Sequence, residues 1–193
     1  MAIRQPRAQK SPAQHNSRYH GSRMSEAEYL ALPEEKPYLE YVDGLVLQKP
    51  MPNAAHRRLV NHIGVELGLY ARRTHGDAGS EGRIRLGDVP NYRLPDAAYW
   101  APGQPSGDDS IPTLAVEVRS PGQTMDELRA KCRFYRRNSV GACWLVDPES
   151  RTVESFEGGV DGKAHGIEEE NLNSVLLPGF TLVLKDLFAV LDR

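Results

Sequence analysis

The chain has no long apolar run. In its 193 residues nothing approaches the roughly 20 apolar residues that a membrane-spanning helix needs, and the N-terminal stretch has no apolar core of the kind that marks a secretory leader. Cysteine is scarce: Cys132 and Cys143 are the only two, which excludes a multi-disulfide scaffold and fits a reducing, cytoplasmic setting. No Cys/His cluster carries zinc spacing. A dominant sign of charge is missing as well. With 24 Lys and Arg against 26 Asp and Glu the net charge is -2, so any nucleic-acid contact would need a local basic patch. There is no internal repeat. At 39% hydrophobic and 26% charged residues, the composition is that of a globular chain, and the length favours one domain, here 24–193.

The first 23 residues contain no acid but carry Arg4, Arg7, Lys10, Arg18 and Arg23, and they show no apolar periodicity. They read as a disordered basic arm, with contact to a phosphate backbone as the sharper alternative. Ser25 with Glu28 predicts a capped short helix. Asp43-Gly44 between two alternating runs in "PYLEYVDGLVLQKP" predicts a hairpin. "AAHRRLVNHIGVELGLYARRTHG" carries Leu59, Ile63, Leu67 and Tyr70 at helical spacing, with Gly76 as its expected stop. "GRIRLG" and "YRLPDAAYW" read as two short strands, and "TLAVEV" as a strand buried on both faces. Thr124 and Glu127 then cap a helix over "MDELRAKCRFYRRN". The apolar strand "GACWLVDP", a hairpin partner in "RTVESFEG", and a short strand with a closing helix in "LLPGFTLVLKDLFAVL" follow. The pattern predicts an α/β domain with a helix on at least one face of a central sheet, and "AVEV"–helix–"CWLV" as a β-α-β unit.

Four charges are misplaced against this pattern. Glu117 lies inside an apolar strand, where a carboxylate is expensive unless paired. Alternation puts Ala115, Glu117 and Arg119 on one face and Val116 and Val118 on the other, so Arg119 is a candidate partner. Asp96 follows Pro95 in a strand-like segment. Lys131 falls on the stripe Leu128, Lys131, Cys132, Tyr135 of a helix leaving the Glu117 strand, and is therefore aimed at the sheet. Glu40 sits between Leu39 and Tyr41 in the first hairpin strand. Each has a bland alternative: a salt-bridged acid, an edge-turn Asp, a snorkelling Lys, a solvated Glu. Together, two carboxylates and a lysine on one sheet suit metal-assisted phosphodiester hydrolysis. Mg²⁺ takes oxygen ligands from carboxylates, and a bound metal lowers the pKa of a ligated water.

Pro95-Asp96 followed by Glu117-Val118-Arg119 resembles the PD-(D/E)XK nuclease superfamily. The ordered set "YLEYVDGLVLQKPMPNAAH", "LPDAAYW", "AVEVRSPGQTMDELRAKCRFYRRNSVGACWLVDP" and "LPGF" looks more specifically like the Uma-two family of restriction-endonuclease-like proteins. The resemblance implies a restriction-endonuclease-like core: a mixed central sheet flanked by helices, with an N-terminal hairpin. It implies Asp96 and Glu117 as ligands of Mg²⁺ or Mn²⁺ and Lys131 as the catalytic lysine, moved from the strand to the following helix. Glu40 matches the family's acid before the hairpin turn, holding metal directly or through water. His56 matches a histidine at the next helix start and is an accessory candidate. Arg119 stands where the superfamily usually has Lys. It could hold phosphate, anchor Glu117, or signal a lost base. The implied activity is DNA endonuclease action. A homodimer would suit double-strand cutting with one site per chain. The competing reading is an inactive nuclease-fold protein that binds nucleic acid or a protein partner.

Overall fold

The computed structural model describes residues 17–193. Most of the expected basic arm, residues 1–16, lies outside that range. Its last part is not a free tail: Gly21 N–H donates to Val46 O and Val46 N–H to Ser22 O, and Arg23 bridges to Leu45. The first helix, α1 (Glu26–Leu30), starts at Ser25 with the expected reciprocal cap to Glu28.

Strands β1 (Leu39–Val42) and β2 (Leu45–Gln48) form the hairpin. Its two turn residues both have positive φ, Asp43 at 49° and Gly44 at 81°, as a two-residue turn matched to strand twist requires. The long helix α2 (Ala54–Thr74) is capped by Asn53, whose side chain accepts the His56 N–H. It ends one residue earlier than the expected glycine stop, with His75 in the left-handed region at φ 60°. Gly76 is needed for a different reason: a Cβ there would lie 2.6 Å from Trp100 O. A short strand β3 (Asp77–Gly79) follows, which the polar, glycine-containing sequence did not signal.

After β4 (Ile84–Leu86), the segment read as one strand is two: β5 (Asn91–Arg93) and β6 (Ala97–Trp100). Pro95, which lacks a backbone donor, falls in the gap between them, and the two halves enter different sheets. The smaller sheet has the order β2-β1-β5-β4. The larger adds β7 (Leu114–Val118), β8 (Ala142–Asp147), β9 (Thr152–Phe156) and β10 (Lys163–Gly166) in the order β10-β9-β8-β7-β6-β3. Within it β7 and β8 are parallel and the other pairs antiparallel. The crossover between β7 and β8 is α3 (Met125–Arg137), entered through the Thr124–Glu127 capping box. The short strands β11 (Asn171–Leu172) and β12 (Leu182–Val183) and the closing helix α4 (Leu184–Ala189) complete the chain.

The large sheet has helices on both faces. Leu59, Ile63 and Leu67 of α2 pack with Val116, Val118 and Trp144, joined by Phe180, Leu187 and Phe188. Leu128, Cys132 and Tyr135 of α3 pack with Ala98, Ala115, Cys143 and Leu145. Alternation along β7 therefore sends Val116 and Val118 toward α2, and sends Ala115 and Glu117 toward α3. The small sheet has its own core of Tyr29, Leu39, Tyr41, Val46 and Tyr92. Among the described residues no helix is long and apolar enough to cross a membrane.

Candidate active site

The break at Pro95 decides where Asp96 goes. Asp96 N–H donates to Val116 O, and the β6–β7 register pairs Ala97 with Val116; one step further along that register Asp96 stands opposite Glu117. Both are buried, and both line a cleft of about 1920 Å³. The α2 N-terminus, the β1–β2 hairpin, the loop after β7 and α3 bound this cleft.

Lys131 reaches the sheet as its place on the α3 stripe requires. Its Nζ donates to Glu40 Oε1 at 2.8 Å and lies 2.9 Å from Glu117 Oε1. Tyr135, one turn further along α3, donates its hydroxyl to the same Glu117 oxygen at 2.7 Å. Glu40 arrives from the small sheet, where Tyr41 pairs with Tyr92. Its neighbour across the strands is Arg93, which donates to Oε2 at 2.8 Å, while Leu94 N–H donates to Oε1 at 3.1 Å. Both Glu40 oxygens are thus held by protein donors. Asp96 Oδ2 accepts from Val118 N–H at 2.8 Å and lies 3.1 Å from His56 Nε2. Oδ1 accepts from Lys49 Nζ at 2.7 Å, and Lys49 also donates to Leu94 O at 2.7 Å. Lys49, Arg93 and Tyr135 were not singled out from the sequence. Arg93 could have been found by pairing strands. Lys49 carries no periodic signal, because it lies just past the end of β2 beside Pro50.

Arg119 is elsewhere. Its Nη1 lies 3.2 Å from Asp147 Oδ1 and 2.8 Å from Glu149 Oε2, and its Nε donates to Gln123 O. It neither pairs with Glu117 nor lines the cleft. Its backbone still pairs with β8, Arg119 N–H donating to Val146 O at 2.9 Å, but its side chain reaches across to Asp147 at the end of β8 rather than back to Glu117. Arg119 ties the turn at Ser120-Pro121-Gly122 to the end of β8.

Three acids face three strong bases in the buried cluster, and the directions of their pKa shifts follow. Burial pushes Glu40 up, but the charges of Lys131, Arg93 and Lys49 outweigh it and hold the carboxyl at about 2. Burial also pushes Asp96 up, and Lys49 and His56 more than reverse it, leaving the group well below its ordinary value. Glu117 goes the other way. Burial raises it, Lys131 and Lys49 only partly compensate, and the nearby acids Asp96 and Glu40 push it further up. The shared lysine explains the contrast: Glu40 has Arg93 as a second cation in direct contact, whereas Glu117 has only Lys131. Glu117 is therefore the weakest acid of the three. For Lys131, burial favours the neutral amine, but Glu117 and Glu40 overcome it and raise the pKa, so the ammonium is its resting form.

Among the described residues no group of three or more His, Cys, Asp or Glu forms a ready metal cage. The carboxylates of Asp96 and Glu117 nonetheless supply oxygen donors of the kind a hard divalent cation takes. Every Glu117 hydrogen bond among the described residues falls on Oε1, and Oε2 is not among the sealed, partnerless polar atoms of the interior. It is an open acceptor on the cleft, opposite Asp96. His56 Nδ1 is buried without a partner.

A family model described as Uma2, putative restriction endonuclease, matches residues 26–185. The chain belongs to the Uma2 family. The match spans both sheets and every residue of the cluster just described. A solved structure of a putative nuclease belonging to DUF820 from Anabaena variabilis ATCC 29413 is similar in fold, with a TM-score of 0.74 and 24% sequence identity over 86% of this chain and 97% of that one. No curated protein matches the chain. Membership and fold agree on the nuclease-like α/β core. For this Uma2 chain the cluster of Asp96, Glu117, Glu40 and Lys131 is the candidate site.

Proposed function

We propose that this Uma2 protein is a divalent-metal-dependent endonuclease that hydrolyses DNA phosphodiester bonds. The observation that carries the reading is the Lys131 ammonium, delivered from α3 to a buried pair of acids, Glu117 and Glu40, beside Asp96 on an open cleft. Asp96 and Glu117 would hold Mg²⁺ or Mn²⁺. Such a cation would lower the pKa of a bound water and offset charge on the phosphate. Asp96 is oriented for this by the Val118 N–H and by His56. Lys131, held as an ammonium, would present its positive charge and an N–H donor to the scissile phosphate, where negative charge builds in the transition state. It is not poised as a base. Glu40, both of whose oxygens accept from protein donors, anchors Lys131 in this reading, and any share it has in holding the cation would be through water. Arg93 in turn anchors Glu40.

One observation favours a second reading, a nuclease-fold protein that binds DNA without cutting. The buried acids Asp96, Glu117 and Glu40 are already matched by Lys49, Lys131 and Arg93. A cleavage assay separates the readings. Plasmid and single-stranded DNA are incubated with Mg²⁺, Mn²⁺ or chelator, with wild type beside Asp96→Asn and Lys131→Ala. Metal-dependent cutting by wild type, reduced about 10²–10³-fold in each variant, is expected for loss of a group acting on developing charge. Equal activity in all three proteins sinks the assignment. DNA retention without cutting in any metal supports the second reading.

A further inference from the structure

We infer that Lys49 is a built-in counter-ion occupying the Asp96 oxygen that a divalent cation would need, so that the cation and the Lys49 ammonium compete for one position. The inference rests on the metal-binding reading of Asp96 and Glu117. It comes from following each oxygen of the two acids. Asp96 Oδ2 is committed to the β7 backbone at Val118 and to His56. Glu117 Oε1 is committed to Tyr135 and Lys131. What remains for an incoming cation is Glu117 Oε2 and Asp96 Oδ1, and Oδ1 holds Lys49 Nζ at 2.7 Å.

Lys49 has not merely drifted there. A second bond, to Leu94 O at 2.7 Å, fixes the ammonium over the Pro95 break. Its side chain is 11% exposed, on the cleft wall. Charge balance then sets the consequence. With Lys49 in place the acids Asp96, Glu117 and Glu40 face an equal number of Lys and Arg charges, Lys49, Lys131 and Arg93. A divalent cation added to that neutral cluster has to push an ammonium aside. Without Lys49 the cluster is one charge negative, and Asp96 Oδ1 is open. Displaced from Asp96, the ammonium would still line the cleft, where a bound substrate phosphate is one anion it could meet. Cation and phosphate would then bind better together than either alone.

The test is isothermal titration of the full chain with Mn²⁺ alone, for wild type, Lys49→Gln, Lys49→Arg and Asp96→Asn, with melting curves as the folding control. Gln keeps an amide donor for Asp96 while removing the charge, and Lys49→Met is a second charge-removing variant should the first not fold. Lys49→Gln is expected to bind Mn²⁺ at least about tenfold tighter than wild type, equivalent to ~1.4 kcal/mol. Lys49→Arg, which keeps the charge, is expected to stay within about threefold of wild type, and Asp96→Asn to lose binding, since both follow from competition at one charged oxygen. If Asp96→Asn loses Mn²⁺ but removal of the Lys49 charge leaves affinity unchanged or weaker, Lys49 is only a structural support. The inference then falls while the metal-site reading stands. If no folded variant binds Mn²⁺, the metal-site reading itself falls, and the inference with it.

Discussion

Glu40 is held as an anion by its surroundings: its carboxyl sits at about 2, while ordinary glutamate titrates near 4.5. A depressed folded-state value means that its stabilising effect is present above the unfolded pKa and is lost as pH falls through the folded one. The window is therefore roughly pH 5 to 2, and the size is on the order of 3 kcal/mol. Urea unfolding followed across that window should show the wild-type midpoint falling steeply, and Glu40→Gln should flatten the slope. Equal slopes would mean that Glu40 is not held as an anion. Glu117 contributes with the opposite sign: its raised value favours the fold at low pH, and that contribution fades as pH rises through the folded pKa. Asp96, Glu117, Lys131 and Glu40 could each be picked out of the sequence as a misplaced charge, but each alone had a bland alternative, and only the set pointed to a site. Lys49 could not be picked out, because nothing in its surroundings predicts burial. For Arg119 the sequence left three roles open, and the structure puts it against Asp147 and Glu149 rather than Glu117, because its guanidinium reaches across to the end of β8.

At the level of elements, the site depends on how closely β7 and β8 begin together. Gly141, just before β8, has no room for a side chain: a Cβ there would lie 2.5 Å from Thr113 O. That atom is backbone and cannot swing away. Gly141→Ala should cost about 1–3 kcal/mol by overpacking. Calorimetry would read this as a fall in Tm of roughly 2–4 °C per kcal/mol for a chain of this size. An unchanged Tm would show that the two strands can part locally. The elements themselves were mostly readable: the capping boxes at Ser25 and Thr124, the Asp43-Gly44 hairpin and the β-α-β unit all follow from local chemistry. The failures were β3, whose Asp-Ala-Gly sequence has no strand character, and the segment around Pro95. There the break between β5 and β6 is a tertiary event, because the halves are claimed by different sheets and propensity cannot register that.

For the molecule as a whole, the cluster is the seam between the two sheets. Lys131 and Glu117 belong to the large-sheet layer and Glu40 and Arg93 to the small one, and Asp96 lies on the connection. Lys131→Met should therefore loosen the small sheet selectively. Hydrogen exchange is expected to quicken at the Leu39–Gln48 amides by about tenfold or more, equivalent to ~1.4 kcal/mol, with Leu114–Val118 little changed. Equal acceleration in both regions would show that the sheets open as one unit. The same seam has a temporal side. Lys131 and Glu40 lie 91 residues apart in the chain, and α3 is synthesised after every acid of the cluster. A nascent chain released from the ribosome as far as Glu117 holds all three carboxylates and no Lys131. On the proposed reading, the growing polypeptide carries the acids of the site without their lysine until α3 has been made and has docked.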